Sequence, residues 1–213
     1  MILYSAPDPA PNPRRVRIFM AEKGLAIEER PINLLKREHK AAEFRAKNSL
    51  GQVPVLELEG GVCISETVAI CRYLDETNPG PSLFGRDALE RAQVEMWIRR
   101  VEFIVMTPVG QFWRHAHPLT ASLLTQHREF GESNREAYEK ALKWLDRELD
   151  GRSFLASDAF SMADICLVST VEFADWIGLA APSGLTHFEA WRASVNARPS
   201  IANRGLPRAP RAG

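Results

Sequence analysis

The chain has 213 residues, 45% of them hydrophobic and 25% charged, with 27 basic and 27 acidic side chains and a formal net charge of zero. This suits one large domain or two small ones with a core of their own, and it sets up no field that would gather nucleic acid or an anionic membrane. No stretch reaches the roughly 18–20 apolar residues of a membrane span, and no basic-then-apolar leader opens the chain, so a cytoplasmic protein is expected. Cys63, Cys71 and Cys166 lie among apolar residues without Cys-x-x-Cys spacing and read as buried core thiols. His115-Ala116-His117 has no accompanying acidic or cysteine cluster, so no metal is expected.

The first 77 residues alternate strand and helix signals. Ile2-Leu3-Tyr4 is a short apolar strand, followed by a loop containing Pro7, Pro9, Pro11 and Pro13. Asn12-Pro13 reads as an N-cap with proline at the first helical position. Val16, Phe19 and Met20 recur at helical spacing, and Gly24 closes that helix. A second strand is expected over 26–34 and a short polar helix over 39–47. Strands at 55–58 and 62–64 flank the turn Glu59-Gly60-Gly61, and a helix over 66–77 follows, giving the order β-α-β-α-β-β-α.

Residues 78–86 form a turn-rich linker, and 87–213 read as helix throughout. Val94, Trp97, Val101, Ile104 and Val105 stripe a long helix that Pro108 is expected to kink. Tyr138, Leu142, Leu145 and Leu149 stripe another. Ser161-Met162-Ala163-Asp164 matches a capping box, and the helix after it is apolar on nearly every side, as expected of a domain core. Trp191 sits in a last short helix, and Pro207 and Pro210 belong to a frayed tail.

Two motifs carry chemistry. In Gly51-Gln52-Val53-Pro54, Val53 precedes a proline that opens a strand, which pushes it into extended geometry. A cis Val53–Pro54 bond would leave the Val53 N–H and C=O at an edge where a peptide-like ligand can add as a strand. Ser65-Glu66-Thr67 then opens a helix whose free N–H groups suit a carboxylate, and a glutamate there can hold an ammonium.

A βαβαββα unit with a Val-Pro turn, joined to an all-helical domain, resembles the cytosolic glutathione transferase family. The resemblance spans nearly the whole chain. It rests on Leu3-Tyr4-Ser5, Pro11-Asn12 through Gly24, Asn48 to Pro54, Glu66-Thr67-x-Ala69-Ile70 and Ser161-x-x-Asp164. It implies a fold of class α/β plus all-α, with a thioredoxin-like domain over 1–77 and a helical-bundle domain over 87–213. It also implies a homodimer, with glutathione as co-substrate. By resemblance, Val53, with Pro54, would pair with the cysteinyl part of glutathione. Glu66 and Thr67 would grip its γ-glutamyl end, and His39 and Gln52 would face the glycyl carboxylate. Ser161 and Asp164 resemble a fold-building cap.

The loop from Ala6 to Pro13 departs from the family's better-known subclasses, since Ala10 stands where a Ser, Thr or Cys is expected. It is similar to loops of bacterial members that place an asparagine amide at the sulfur, which makes Asn12 the first catalytic candidate and Ser5 the second. An electrophile pocket bordered by Ala10, Phe112, Trp113 and His115 is expected. The activity implied is thiolate attack by glutathione on an electrophilic small molecule. The alternatives are a glutathione-dependent disulfide reductase without an enzyme cysteine and a non-catalytic binding protein on the same fold.

Overall fold

The computed structural model describes residues 1–202, and the expected tail at Pro207 and Pro210 lies outside them. Within the described residues the chain divides into two compact units, Met1–Ser82 and Leu83–Ala202. The first is a thioredoxin-like domain and the second is all-helical.

The first unit runs β1 (Ile2–Ser5), α1 (Pro11–Lys23), β2 (Glu28–Pro31), a 3₁₀ turn (Glu38–Lys40), α2 (Ala42–Lys47), β3 (Val55–Glu57), β4 (Cys63–Ser65) and α3 (Thr67–Thr77). The sheet order is β2-β1-β3-β4. β2 is shorter than its sequence suggests and exposed along its length; its charged Glu28-Glu29-Arg30 and terminal Pro31 are what an edge strand tolerates. Gly24 ends α1 in the left-handed region at φ 64°, where its N–H and that of Leu25 satisfy the last carbonyls. The β3–β4 hairpin closes with Leu58 N–H donating to the Val62 carbonyl at 2.8 Å.

Register decides what this unit can do. β1 pairs parallel to β2, with Ser5 opposite Pro31, and antiparallel to β3, with Tyr4 opposite Val55. β3 pairs antiparallel to β4, with Val55 opposite Ser65. The C-terminal ends of β1, β2 and β4 and the start of β3 therefore share one end of the sheet. The loop into α1, the segment leading to His39, the Val53–Pro54 turn and the start of α3 all emerge there.

The second unit comprises α4 (Ala88–Arg100), a π-helical segment (Val101–Met106), α5 (Thr107–His115), α6 (Arg128–Glu148), α7 (Met162–Trp176), α8 (Thr186–Asn196) and α9 (Pro199–Ala202). The interruption expected at Pro108 takes the form of that π segment. Proline offers no N–H and its ring crowds the carbonyl four residues back, so the ladder shifts to the wider spacing, with Thr107 N–H donating to the Glu102 carbonyl. Val94, Trp97, Val101 and Val105 are buried as the stripe requires, but the wider turn rotates Ile104 outward.

α7 is buried on nearly every side, and its Ser169 and Thr170 hydroxyls donate to the Cys166 carbonyl. Its first turn is fixed by Asp164, which is fully buried. Asp164 accepts from Ser161 N–H and Oγ, from Leu155 N–H and from Trp191 Nε1, at 2.9–3.0 Å. Burial pushes its carboxyl above the ordinary aspartate value, against the pull of those donors. Ser161 and Asp164 build the fold, as expected. Cys71 and Cys166 are buried thiols, whereas Cys63 is half-exposed, because a three-residue edge strand cannot cover it.

Candidate active site

The α1 end of the site differs from its sequence reading. Asn12 does not cap the helix: α1 starts at Pro11 with Ala10 as the N-cap, and no side chain caps it. The reason is chemical. A helix leaves its first N–H groups unpaired, and here two of those positions are prolines with no N–H to satisfy. Ala10 N–H is taken by the Pro7 carbonyl at 3.3 Å, and Arg14 N–H makes the first helical bond, to Ala10, at 3.2 Å. Among the described residues, Asn12 therefore holds the one unpaired main-chain N–H of this first turn. Its half-buried side-chain amide lies on the same residue. Ser5 is buried, and its Oγ accepts from Arg17 Nη1 at 2.9 Å. Tyr4 is buried too, with its hydroxyl donating to Glu57 at 2.7 Å.

The Val53–Pro54 bond is cis, as is Asp8–Pro9. Neither the N–H nor the C=O of Val53 is paired among the described residues, although Pro54, Val55 and Leu56 beside it are buried. The turn before it is held by two residues to which the sequence alone assigned no role. Asn48, itself buried, receives Gly51 N–H on its carbonyl at 2.8 Å and donates Nδ2 to the Gln52 carbonyl at 2.9 Å. Lys40 Nζ donates to the carbonyls of Leu50 and Gly51 at 3.1 and 2.8 Å. Gly51 is required here: its φ is +57°, and a Cβ would stand 2.5 Å from the His39 carbonyl. Gln52 is exposed.

His39 lies in the 3₁₀ turn next to this segment, with its Nδ1 buried and unpartnered among the described residues. Burial, then the neighbouring Lys40 and Arg37 charges, hold its imidazole below the ordinary histidine pKa.

At the start of α3, Glu66 occupies the N-cap position at φ 69°, ψ 120°, and its side chain makes no capping bond. A non-glycine residue held in that region costs about 1–3 kcal/mol, a conformation that tends to persist where function uses it. Glu66 thus precedes α3 instead of sitting in its first turn, with an exposed carboxylate ahead of the free N–H groups. Thr67 is buried, and its Oγ1 accepts from Arg15 at 3.4 Å.

The residues expected to border an electrophile lie in each unit's own packing. Ala10 heads α1. On α5, Phe112 is buried with the Arg135 guanidinium 4.6 Å above its ring. Trp113 packs against His117, Phe173 and Trp176 at ring distances of 4.8, 5.4 and 5.8 Å. His115 faces His127 and Phe130, and its Nδ1 accepts from His127 N–H at 3.3 Å. Cys63 pairs with Glu57 at the far end of β4, away from the start of α1, and Cys71 is buried on α3.

The chain matches the family model for the glutathione S-transferase N-terminal domain over residues 1–76 and that for the C-terminal domain over 109–199. It is similar to glutathione S-transferase 2 of Saccharomyces cerevisiae, 38% identical over 94% of this chain and 88% of the relative. Among solved structures it is similar to a glutathione S-transferase domain-containing protein of Marinobacter aquaeolei VT8, 39% identical with a TM-score of 0.88, covering 94% of this chain and 100% of the other. Gtt2 from Saccharomyces cerevisiae also has a TM-score of 0.88, at 36% identity over 95% and 99% of the two chains.

Proposed function

The chain belongs to the glutathione S-transferase family, and we propose that it binds glutathione along the end of the sheet where α1, Val53 and α3 converge, and releases it as a thiolate toward an electrophilic small molecule. The observation that carries this reading is the pairing of an open strand edge at Val53 with a helix N-terminus led by the strained Glu66. Glutathione is an extended tripeptide with an ammonium and a carboxylate at one end, a carboxylate at the other and a thiol between them.

In this reading Val53 exchanges main-chain hydrogen bonds with the cysteinyl residue. The α-carboxylate of the γ-glutamyl end meets the N–H groups and hydroxyl of Thr67, and the ammonium meets the Glu66 carboxylate. Lys40, whose Nζ already lies on this turn, supplies the positive charge for the glycyl carboxylate, since burial disfavours the charged form of His39; His39 and Gln52 add hydrogen-bond contacts.

The sulfur then faces the α1 N-terminus. Bringing a thiol from a pKa of about 8.5 to mostly ionised at pH 7 takes roughly 2.7 kcal/mol. A hydrogen bond to a charged group contributes about 1.5–3 kcal/mol and the helix dipole about 0.3–1 kcal/mol. The main-chain N–H of Asn12, its side-chain amide and the dipole together reach that figure. The proton leaves to solvent, the sulfur lone pair forms the new bond to the electrophile, and the electrophile's leaving group or π-electron pair accepts the charge. The assembly proposed is a homodimer and the compartment the cytoplasm; no helix among the described residues is long and apolar enough to cross a membrane.

Calorimetric titration of glutathione into the wild type and Glu66→Ala tests this reading. The expected loss is about 1.5–3 kcal/mol, that of a charge-assisted contact. Equal affinities would remove Glu66 from the ammonium and with it the orientation of the ligand.

A further inference from the structure

Arg17 makes none of the ligand contacts above, yet it holds the loop that leads into α1. Its Nη1 donates to Ser5 Oγ and to the Ala6 carbonyl, each at 2.9 Å. Its Nη2 donates to the Asp8 carboxylate, and Glu29 on β2 lies 3.7 Å from Nη1. Both Arg17 and Asp8 are largely withdrawn from solvent, with 21% and 11% of their side chains exposed. A helical side chain leans toward the N-terminus of its helix, so a residue in the second turn of α1 is well placed to reach back over the loop.

The composition of that loop explains why a side chain must do this. Pro7, Pro9 and Pro11 carry no N–H, and the loop's own main-chain bond is the long one from Ala10 to Pro7. Backbone pairing cannot fix a segment so poor in donors. A planar guanidinium with its fork of donors can take a hydroxyl, a carbonyl and a carboxylate at once, which an ammonium on a flexible stem cannot reproduce.

We propose that Arg17 is the positioning residue of the thiol-activating segment. By clamping Ser5, Ala6 and Asp8 it fixes where the first turn of α1, with the Asn12 N–H and amide, meets the glutathione sulfur. The proposal rests on the functional reading above. Donor placement within a fraction of an ångström is what a preorganised site requires, so loosening the clamp acts on the thiol and leaves the grip on the two ends of the ligand in place.

The test compares full-length wild type with Arg17→Met, Arg17→Lys and Asp8→Asn. The readouts are calorimetric glutathione affinity, the pKa of the bound thiol from its thiolate absorbance, and kcat with an activated aryl chloride across pH. For Arg17→Met, glutathione Kd stays within about three-fold, the bound thiol's pKa rises by about one unit, and kcat near pH 7 falls roughly ten-fold but recovers at alkaline pH. Arg17→Lys and Asp8→Asn, which keep part of the clamp, fall between the two, and they carry the test if Arg17→Met does not fold. A wild type that binds and turns over, with variants that keep its thiol pKa and kcat profile and lose only thermal stability, overturns this proposal alone. A wild type that binds no glutathione overturns the functional reading and this one together.

Discussion

Val55 pairs with Ser65 across the antiparallel β3–β4 ladder, and that register brings Val53 and Glu66 to the same end of the sheet. The ligand reading depends on this relationship. A one-residue slip would turn every side chain of β4 to the opposite face and carry the start of α3 with it. Glu66 then joins the sheet end to the helix through a backbone conformation that only glycine adopts freely.

Glu66 therefore permits binding and stability to be separated. Glu66→Gly should relieve up to about 1–3 kcal/mol of strain, partly offset by the roughly 0.5–1 kcal/mol that glycine loses in unfolded-state freedom. The same variant should lose glutathione affinity as Glu66→Ala does. Urea unfolding alongside calorimetry checks it: a variant both less stable and unchanged in affinity would mean that the strain serves packing, not the ligand.

Asn12 separates differently now that Ala10 is the N-cap. Asn12→Ala removes no capping bond, so its stability should stay within about 0.5 kcal/mol of wild type, since alanine is a better helix former. Its bound-thiol pKa should rise by about one unit or less, because the main-chain N–H survives. Asn12→Asp should raise it further by setting a negative charge beside the sulfur. Thiolate titration of the three proteins decides, and an unshifted Asn12→Asp would remove Asn12 from sulfur activation.

The depressed pKa of His39 gives a prediction with a definite sign. If its imidazolium held the glycyl carboxylate, affinity would increase as pH falls below about 6.5, the ordinary histidine value, because the fold holds its own pKa lower. With Lys40 as the cation, affinity for S-methylglutathione, which has no thiol to titrate, should be flat between about pH 5 and 8. Lys40→Met should weaken it at every pH in that range. Stability follows the same shift: the unfolded chain takes up the proton more readily than the fold does. Acidification below the ordinary histidine pKa therefore destabilises the native state, and His39→Gln should blunt that loss.

Much of this was legible in the sequence, for identifiable reasons. Glycine with a left-handed cap ends α1 where Gly24 stands, Glu59-Gly60-Gly61 closes the hairpin, and Ser161-x-x-Asp164 opens the core helix. Each is a local rule with one solution. The Val53–Pro54 turn and the start of α3 at Thr67 were legible because a proline opening a strand and a polar entry to an apolar helix are both local signals. Asn12 was misplaced as a cap because two prolines flank it, and either can open a helix. Ile104 fitted the helical stripe until the π segment shifted the phase, which no periodicity reports. The roles of Arg17, Lys40 and Asn48 stayed hidden for another reason: a charged or polar residue on or beside a helix reads as solvated, and only tertiary structure shows that its donors close on loop groups.

Assembly provides a further check. Phe103 and Ile104 are exposed on the π segment, and Leu89 and Met96 are exposed on α4. Together with the family membership they fit a two-fold symmetric dimer. Light scattering at micromolar concentration should give about twice the 23.9 kDa chain mass. A stable monomer that retains turnover would contradict the homodimer.

A crystal soaked with glutathione tests the central claim most directly. The tripeptide should lie antiparallel to Val53, exchanging hydrogen bonds with its N–H and C=O, with its γ-glutamyl end at Glu66 and Thr67 and its sulfur within hydrogen-bond reach of Asn12. A ligand seated elsewhere, or one bound with its sulfur turned away from the first turn of α1, would contradict the account.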